Sequence, residues 1–240
     1  MAEETRTERP SNGHVDHHKA CVRAAKEWEA SALAPKAAEK AVQAFLLAVP
    51  LTAESTVLEL GCGSGLCTAL IARKVGAVLG LDRSKGLVKR FEAKAASLKL
   101  QDKMAAVRME LKDPKQLQDY LPDERGFDVV FSHRALRHLP DFSAALGVLL
   151  RVLRPGGWLF VTDLESAGDV APQLNGNHQE HVVREGLSGA ELERGLQAAG
   201  LVDVSVGRSF SLDDPDQEKG SETTWYLGGV GRKPCSSALR

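Results

Sequence analysis

The chain has 240 residues, 31 Lys+Arg against 32 Asp+Glu, a net charge of −1 and 43% hydrophobic residues, which predicts one medium α/β domain with a sizeable core. Near-neutral charge gives no general attraction to nucleic acid or to an anionic membrane, so no nucleic-acid groove is expected. No apolar run approaches the roughly 20 residues of a membrane span. The four cysteines, at 21, 62, 67 and 235, lack disulfide or zinc spacing, which fits a reducing cytoplasm or nucleus.

Residues 1–15 are polar, lack the apolar segment of a signal peptide and are expected to form a disordered tail. The pattern turns helical from Lys19 to Ala32 and again from Pro35 to Ala48, where Pro35 suits a first helical turn and Pro50 follows the end. Trp28 either fastens its helix to the core or contacts a ligand. Val57-Leu58-Glu59-Leu60 then reads as a strand, Gly61-Cys62-Gly63-Ser64-Gly65 as a tight turn, Leu66 to Ala72 as a helix and Val78-Leu79-Gly80-Leu81-Asp82 as a second strand. This is a βαβ unit. Glycines at 61, 63 and 65 permit positive φ and let a ligand approach the backbone at the carboxyl end of the first strand. Asp82 ends the second strand beside them, where a carboxylate can accept hydrogen bonds from two ribose hydroxyls, so a nucleoside-like cofactor is expected. No phosphate-binding lysine follows the turn, which excludes a P-loop.

Gly86 to Leu100 carries Leu87, Val88, Phe91, Ala95 and Leu98 at helical spacing, with Lys85, Lys89, Arg90, Lys94, Lys99 and Lys103 mainly on the other side as a solvated face. Ala105 to Leu111 is a third strand, and Asp113 follows it before Pro114. Phe127 to Ser132 is the fourth, almost continuously apolar as a strand covered on both faces must be. Ser132, His133, Arg134 and Ala135 therefore stand in the crevice at its carboxyl end, where open α/β sheets bind ligands. His133 could remove a proton there; His138 is either a structural histidine or a polar group near a substrate. Ser143 to Leu153 is a helix, Arg154-Pro155-Gly156-Gly157 a tight turn and Trp158 to Thr162 the fifth strand. A long polar loop from Asp163 to Gly186 contains His178 and His181, and His181 is a candidate substrate contact; no third ligand supports a metal site. Leu187 to Gly200 is a helix capped by Ser188 and stopped by Gly200, followed by strands from Val202 to Val206 and Thr223 to Val230 and a tail from Pro234.

Five segments in sequence, Glu59 to Gly65, Gly80-Leu-Asp-Arg-Ser84, Phe127 to Ser132, Leu136-Arg-His-Leu-Pro-Asp141 and Leu153-Arg-Pro-Gly-Gly-Trp158, resemble the class I S-adenosylmethionine-dependent methyltransferases, most closely their small type-11-like members. The resemblance implies a Rossmann-like sheet of seven strands in the order 3-2-1-4-5-7-6, the last antiparallel, spanning residues 16–233, with the helices of residues 16–50 as a lid. It implies S-adenosylmethionine as cofactor, held by the glycine turn with Cys62, by Glu59 shaping the turn or meeting the amino group, by Asp82 on the ribose and by Ser132. Arg83 and Ser84 would flank the adenine; Asp113 would meet it, or is simply a helix cap. Arg137 stands where relatives carry a histidine, so no role transfers to it. The segment Ser132 to Ala135 is not the Asn/Asp-Pro-Pro-Tyr/Phe motif of amino-group methylation, and the resemblance therefore points to a small-molecule acceptor, with Trp28, Arg134 and His181 as candidate contacts and His133 and His138 as candidate catalytic groups. A protein or nucleic-acid acceptor, a catalytically silent relative and an NAD-dependent oxidoreductase are the competing readings.

Overall fold

The computed structural model describes residues 27–139, 141–166, 186–213 and 223–235. Residues 27–30 are helical, followed by α1 (Leu33–Ala48), β1 (Thr56–Leu60), α2 (Leu66–Ile71), β2 (Ala77–Asp82), α3 (Lys85–Leu98), β3 (Met104–Arg108) and a 3₁₀ turn (Pro114–Tyr120). Then come β4 (Phe127–His133), a short 3₁₀ turn (Leu136–His138), α4 (Phe142–Val152), β5 (Leu153–Leu164), α5 (Gly189–Ala198), β6 (Val202–Leu212) and β7 (Thr224–Arg232). The strands form one sheet in the order β3-β2-β1-β4-β5-β7-β6. The first five are parallel, and β7 runs antiparallel between β5 and β6. The predicted architecture is the observed one.

Side chains on a strand alternate between faces, and here both faces are covered. Val57, Val129, Phe131 and Phe160 point to one side, where they pack with α1, α2 and α3. Their neighbours Leu58, Val130, Leu159 and Val161 point to the other, against α4, α5 and Leu117. On the first side Phe45 of α1 lies 5.0 Å from Phe131 and 5.5 Å from Phe160, ring centre to ring centre. Ser84, Asp141 and Ser188 accept hydrogen bonds from Leu87, Ala144 and Glu191 and so cap α3, α4 and α5.

Three expectations need correction. The Arg154 to Gly157 segment is no separate turn: β5 begins at Leu153, and the extra residues are absorbed as a register shift against β4 between Phe127 and Val129, with Gly156 at φ 76°. Asp163 and Leu164 belong to β5 rather than to the following loop, and a bridge between Glu165 and Leu187 pins its two ends. β6 continues to Leu212 because its partner β7 stays paired with it through two register shifts. The tail of residues 1–15, the start of the first helix, Cys21, His178 and His181 lie outside the described residues. Among the described residues no helix is long and apolar enough to cross a membrane.

Candidate active site

The glycine turn joins β1 to α2, and its own backbone fixes its shape. The N–H groups of Gly61 and Cys62 both donate to the Leu81 carbonyl, at 2.8 and 3.0 Å, and Gly65 N–H donates to the Cys62 carbonyl at 2.8 Å. Gly61, Gly63 and Gly65 have φ of 74°, 55° and 82°, in the left-handed region. A Cβ at Gly61 would come 2.4 Å from Cβ of Ala135, and one at Gly65 would come 2.7 Å from Phe91. These two glycines therefore make room for the chain's own atoms rather than for a ligand. Only Gly63 faces outward, where the nearest atom to an added Cβ is a carboxylate oxygen of Glu29 at 3.0 Å.

Asp82 closes the turn from β2. One carboxylate oxygen accepts from Gly63 N–H at 3.0 Å and the other from Ser84 N–H at 2.8 Å, which aims the group along the strand ends and leaves each oxygen a further acceptor site. Burial raises its pKa above the usual carboxylate range, against the lowering effect of those two N–H groups. Beneath the turn Glu59 is almost fully buried and accepts a hydrogen bond from the Thr68 hydroxyl, which ties β1 to α2. Burial, with the charge of Asp82 adding, pushes the Glu59 carboxyl up to about 8, against the opposing effects of Thr68 and Lys94. Ser64 N–H donates to Glu29 at 2.7 Å, Lys94 donates to the Ser64 hydroxyl at 3.1 Å, and Arg90 lies 3.8 Å from Glu29. Lys94 thus turns toward the site, while Arg90 stays exposed on the solvated face of α3 with its guanidinium near Glu29.

The other wall follows β4. The buried Ser132 hydroxyl donates to the Leu60 carbonyl at 3.2 Å, cross-linking β4 to β1. Nδ1 of His133 lies 2.7 Å from the Thr162 hydroxyl, and its ring stacks on Tyr226, 5.8 Å between centres. Arg134 has φ 57°, donates its backbone N–H to the Thr162 carbonyl, places its guanidinium 3.7 Å over the Trp28 ring and donates from Nη1 to the Tyr226 hydroxyl at 2.9 Å. Arg137 is buried against Asp163, whose Oδ1 lies 3.5 Å from Nη1 and whose Oδ2 accepts the Arg137 backbone N–H at 3.1 Å. Arg137 also donates to Nε2 of His138 at 3.3 Å. His133 and His138 are both pushed down to about 3, first by burial and then by the arginines. Both rings are neutral near pH 7, and so low a pKa makes either a poor general base.

The predicted site residues Glu59, Gly61, Cys62, Gly63, Gly65, Asp82, Arg83, Ser132, His133, Arg134 and Trp28 all come together at the carboxyl ends of β1, β2 and β4 or directly over them. Asp113 is exposed and caps the 3₁₀ turn, accepting from Lys115 N–H at 2.9 Å while Gln116 accepts its own N–H. Ser84 is spent on capping α3. Sequence reasoning missed Glu29, Lys94, Arg137, Asp163 and Tyr226. The signal for Asp163 was present, because it stands at the carboxyl end of β5 as Asp82 does on β2. Among the described residues no cluster of three His, Cys, Asp or Glu side chains could hold a metal ion.

A doubly wound sheet in this order, with a glycine turn after β1 and an acid ending β2, defines the Rossmann-like methyltransferase class. A sequence model described as a methyltransferase domain matches residues 51–200, and the chain belongs to that family, among the class I S-adenosylmethionine-dependent methyltransferases. It is 33% identical over 109 residues to a ubiquinone biosynthesis O-methyltransferase from Thiobacillus denitrificans, covering 45% of this chain and 44% of that one. It is 31% identical over 121 residues to a trans-aconitate 2-methyltransferase from Variovorax paradoxus, covering 50% and 42%. The matched region spans less than half the length of these relatives. The crystal structure of an S-adenosylmethionine-dependent methyltransferase from Aquifex aeolicus aligns with TM-score 0.59 at 19% identity, over 88% of this chain and 97% of that one, a likeness of fold.

Proposed function

We propose that the chain binds S-adenosylmethionine at the carboxyl ends of β1, β2 and β4 and directs methyl transfer to a small-molecule nucleophile. The observation that carries this reading is Asp82, a carboxylate fixed by two backbone N–H groups beside the outward-facing Gly63 and still able to accept two hydroxyl donors. That donor set fits a ribose next to a backbone surface without a Cβ. Asp82 would hold the ribose, the turn of Gly61, Cys62, Gly63 and Gly65 the methionine portion, with Glu59 supporting the turn from below. Arg83 would flank the adenine, with Asp113 at the rim, and Ser132 keeps the floor closed. Held there by Asp82 and the glycine turn, S-adenosylmethionine would supply an electrophilic methyl group on its sulfonium.

The chain's own contribution is placement. Neutral His133 and His138, with pKa near 3, orient groups and exclude water rather than take a proton. The two relatives, a ubiquinone biosynthesis O-methyltransferase and a trans-aconitate 2-methyltransferase, support a small-molecule acceptor. Near-neutral charge speaks against nucleic acid, and the cysteine usage suits the cytoplasm. Residues 27–48 would form part of a cover over the site. Titration calorimetry against S-adenosylhomocysteine, S-adenosylmethionine and NAD tests the reading: micromolar binding of the first two, weakened at least about tenfold in Asp82→Ala, is expected. Binding of NAD alone, or of none of them, overturns it.

A further inference from the structure

We infer that Arg134 is an anion anchor of the acceptor site and that the acceptor carries a carboxylate. The inference rests on the methyltransferase reading and adds the substrate class. The residue is held in place by its surroundings rather than by a counter-ion. Its backbone sits in the left-handed region at φ 57°, sparsely populated for any residue with a Cβ, and its N–H is bound to the Thr162 carbonyl at 2.8 Å. The next residue, Ala135, packs so closely on the cofactor turn that a Cβ at Gly61 would overlap it. The guanidinium therefore leaves from a loop seated on the glycine turn, toward the wall formed by residues 27–30 and β7.

There it is half-buried between aromatic partners. Trp28 lies under its plane at 3.7 Å, and Tyr226 receives one of its five donors. Of the two guanidiniums in this loop, that of Arg137 is paired with Asp163 of β5, while that of Arg134 has no carboxylate within ion-pair distance among the described residues. Arg134 and Arg137 add to burial in keeping both neighbouring histidines neutral. Beside it, Nδ1 of His133 lies 2.7 Å from the Thr162 hydroxyl, and its buried Nε2 has no hydrogen-bond partner among the described residues. A planar fork of free N–H donors stacked on an indole is matched in geometry and charge by a carboxylate.

The test titrates protein saturated with S-adenosylhomocysteine against short aliphatic di- and tricarboxylates and hydroxybenzoates, each beside its carboxamide. At least one acid is expected to bind about tenfold or more tightly than its amide. Arg134→Gln removes that preference and leaves S-adenosylhomocysteine affinity and the thermal midpoint nearly unchanged; Arg134→Lys, which keeps the charge but not the fork, restores part of it. With a methylated acid in hand, KM rises in Arg134→Gln far more than kcat falls. The inference is overturned if no acid is preferred to its amide, if nothing in the set binds, or if the preference survives in Arg134→Gln. Failure of S-adenosylhomocysteine to bind the unmodified protein instead strikes the methyltransferase reading.

Discussion

Arg137 and Asp163 form an ion pair at the carboxyl ends of β4 and β5, with 10% and 0% of their side chains exposed and 3.5 Å between Nη1 and Oδ1. Burial raises Asp163 and lowers Arg137 in spite of their attraction, so desolvation outweighs that attraction for both partners. The pair positions the loop between β4 and α4, because the Asp163 carboxylate also binds the backbone N–H of Arg137.

Removing either partner leaves the other charge buried and alone. Arg137→Ala or Asp163→Ala is expected to lower the unfolding free energy by about 3–5 kcal/mol, and the double replacement Arg137→Met with Asp163→Leu by much less than the sum of the single losses. Urea unfolding of the four proteins checks this. Single variants within about 1 kcal/mol of the parent would show that the pair is solvated.

The carboxyl of Glu59 gives a pH signature. It is raised from 4.5 to about 8 in the folded chain, which therefore holds this proton more tightly than the unfolded chain does. Stability from this group is fully present below pH 4.5 and is lost as pH rises through about 8. Glu59→Gln removes the titration, so its stability relative to the parent should improve by a few kcal/mol across that interval. Unfolding curves at several pH values measure the difference, and parallel curves for the two proteins would refute the assignment.

Glu29 holds the N-terminal residues on the glycine turn. Glu29→Ala removes the acceptor of the Ser64 N–H, and exchange of that amide with deuterium is expected to speed up about tenfold. An unchanged rate would mean that the amide is protected by something other than Glu29.

Two glycines should respond in opposite directions. Gly65→Ala meets Phe91 at 2.7 Å with φ 82° and is expected to destabilise by about 2 kcal/mol or more. Gly147→Ala, in α4 with nothing within 4 Å of the new Cβ, should stabilise by about 0.5–1 kcal/mol. Thermal midpoints moving the same way in both would contradict the packing described for Gly65.

Much of the fold was legible because its signals are local. The apolar runs at 57–60, 78–82 and 127–132 can only be strands covered on two faces, and Ser188 caps its helix as read, whereas the caps at Ser84 and Asp141 were not read as such. The glycine turn and Asp82 were legible for the same reason: one βαβ unit brings them together over a short separation. Lys94 was misplaced because helical periodicity separates core from surface but does not tell open solvent from the rim of a site.

The wall built from residues 27–30, β4 and β7 is a product of long-range packing. Trp28, Arg134 and Tyr226 are far apart in the chain and meet because β7 inserts antiparallel beside β5, setting Tyr226 opposite Leu164 and next to the end of β4. Arg137 looked like an unexplained substitution until Asp163 was found beneath it. The sequence by itself determined the layered sheet, the Ser188 cap and the glycine turn, since each depends on residues within one or two consecutive elements. Only the tertiary structure decided which charges are paired and which guanidinium stands without a carboxylate, because burial and charge pairing depend on every element packed around a side chain and not on its neighbours in the chain.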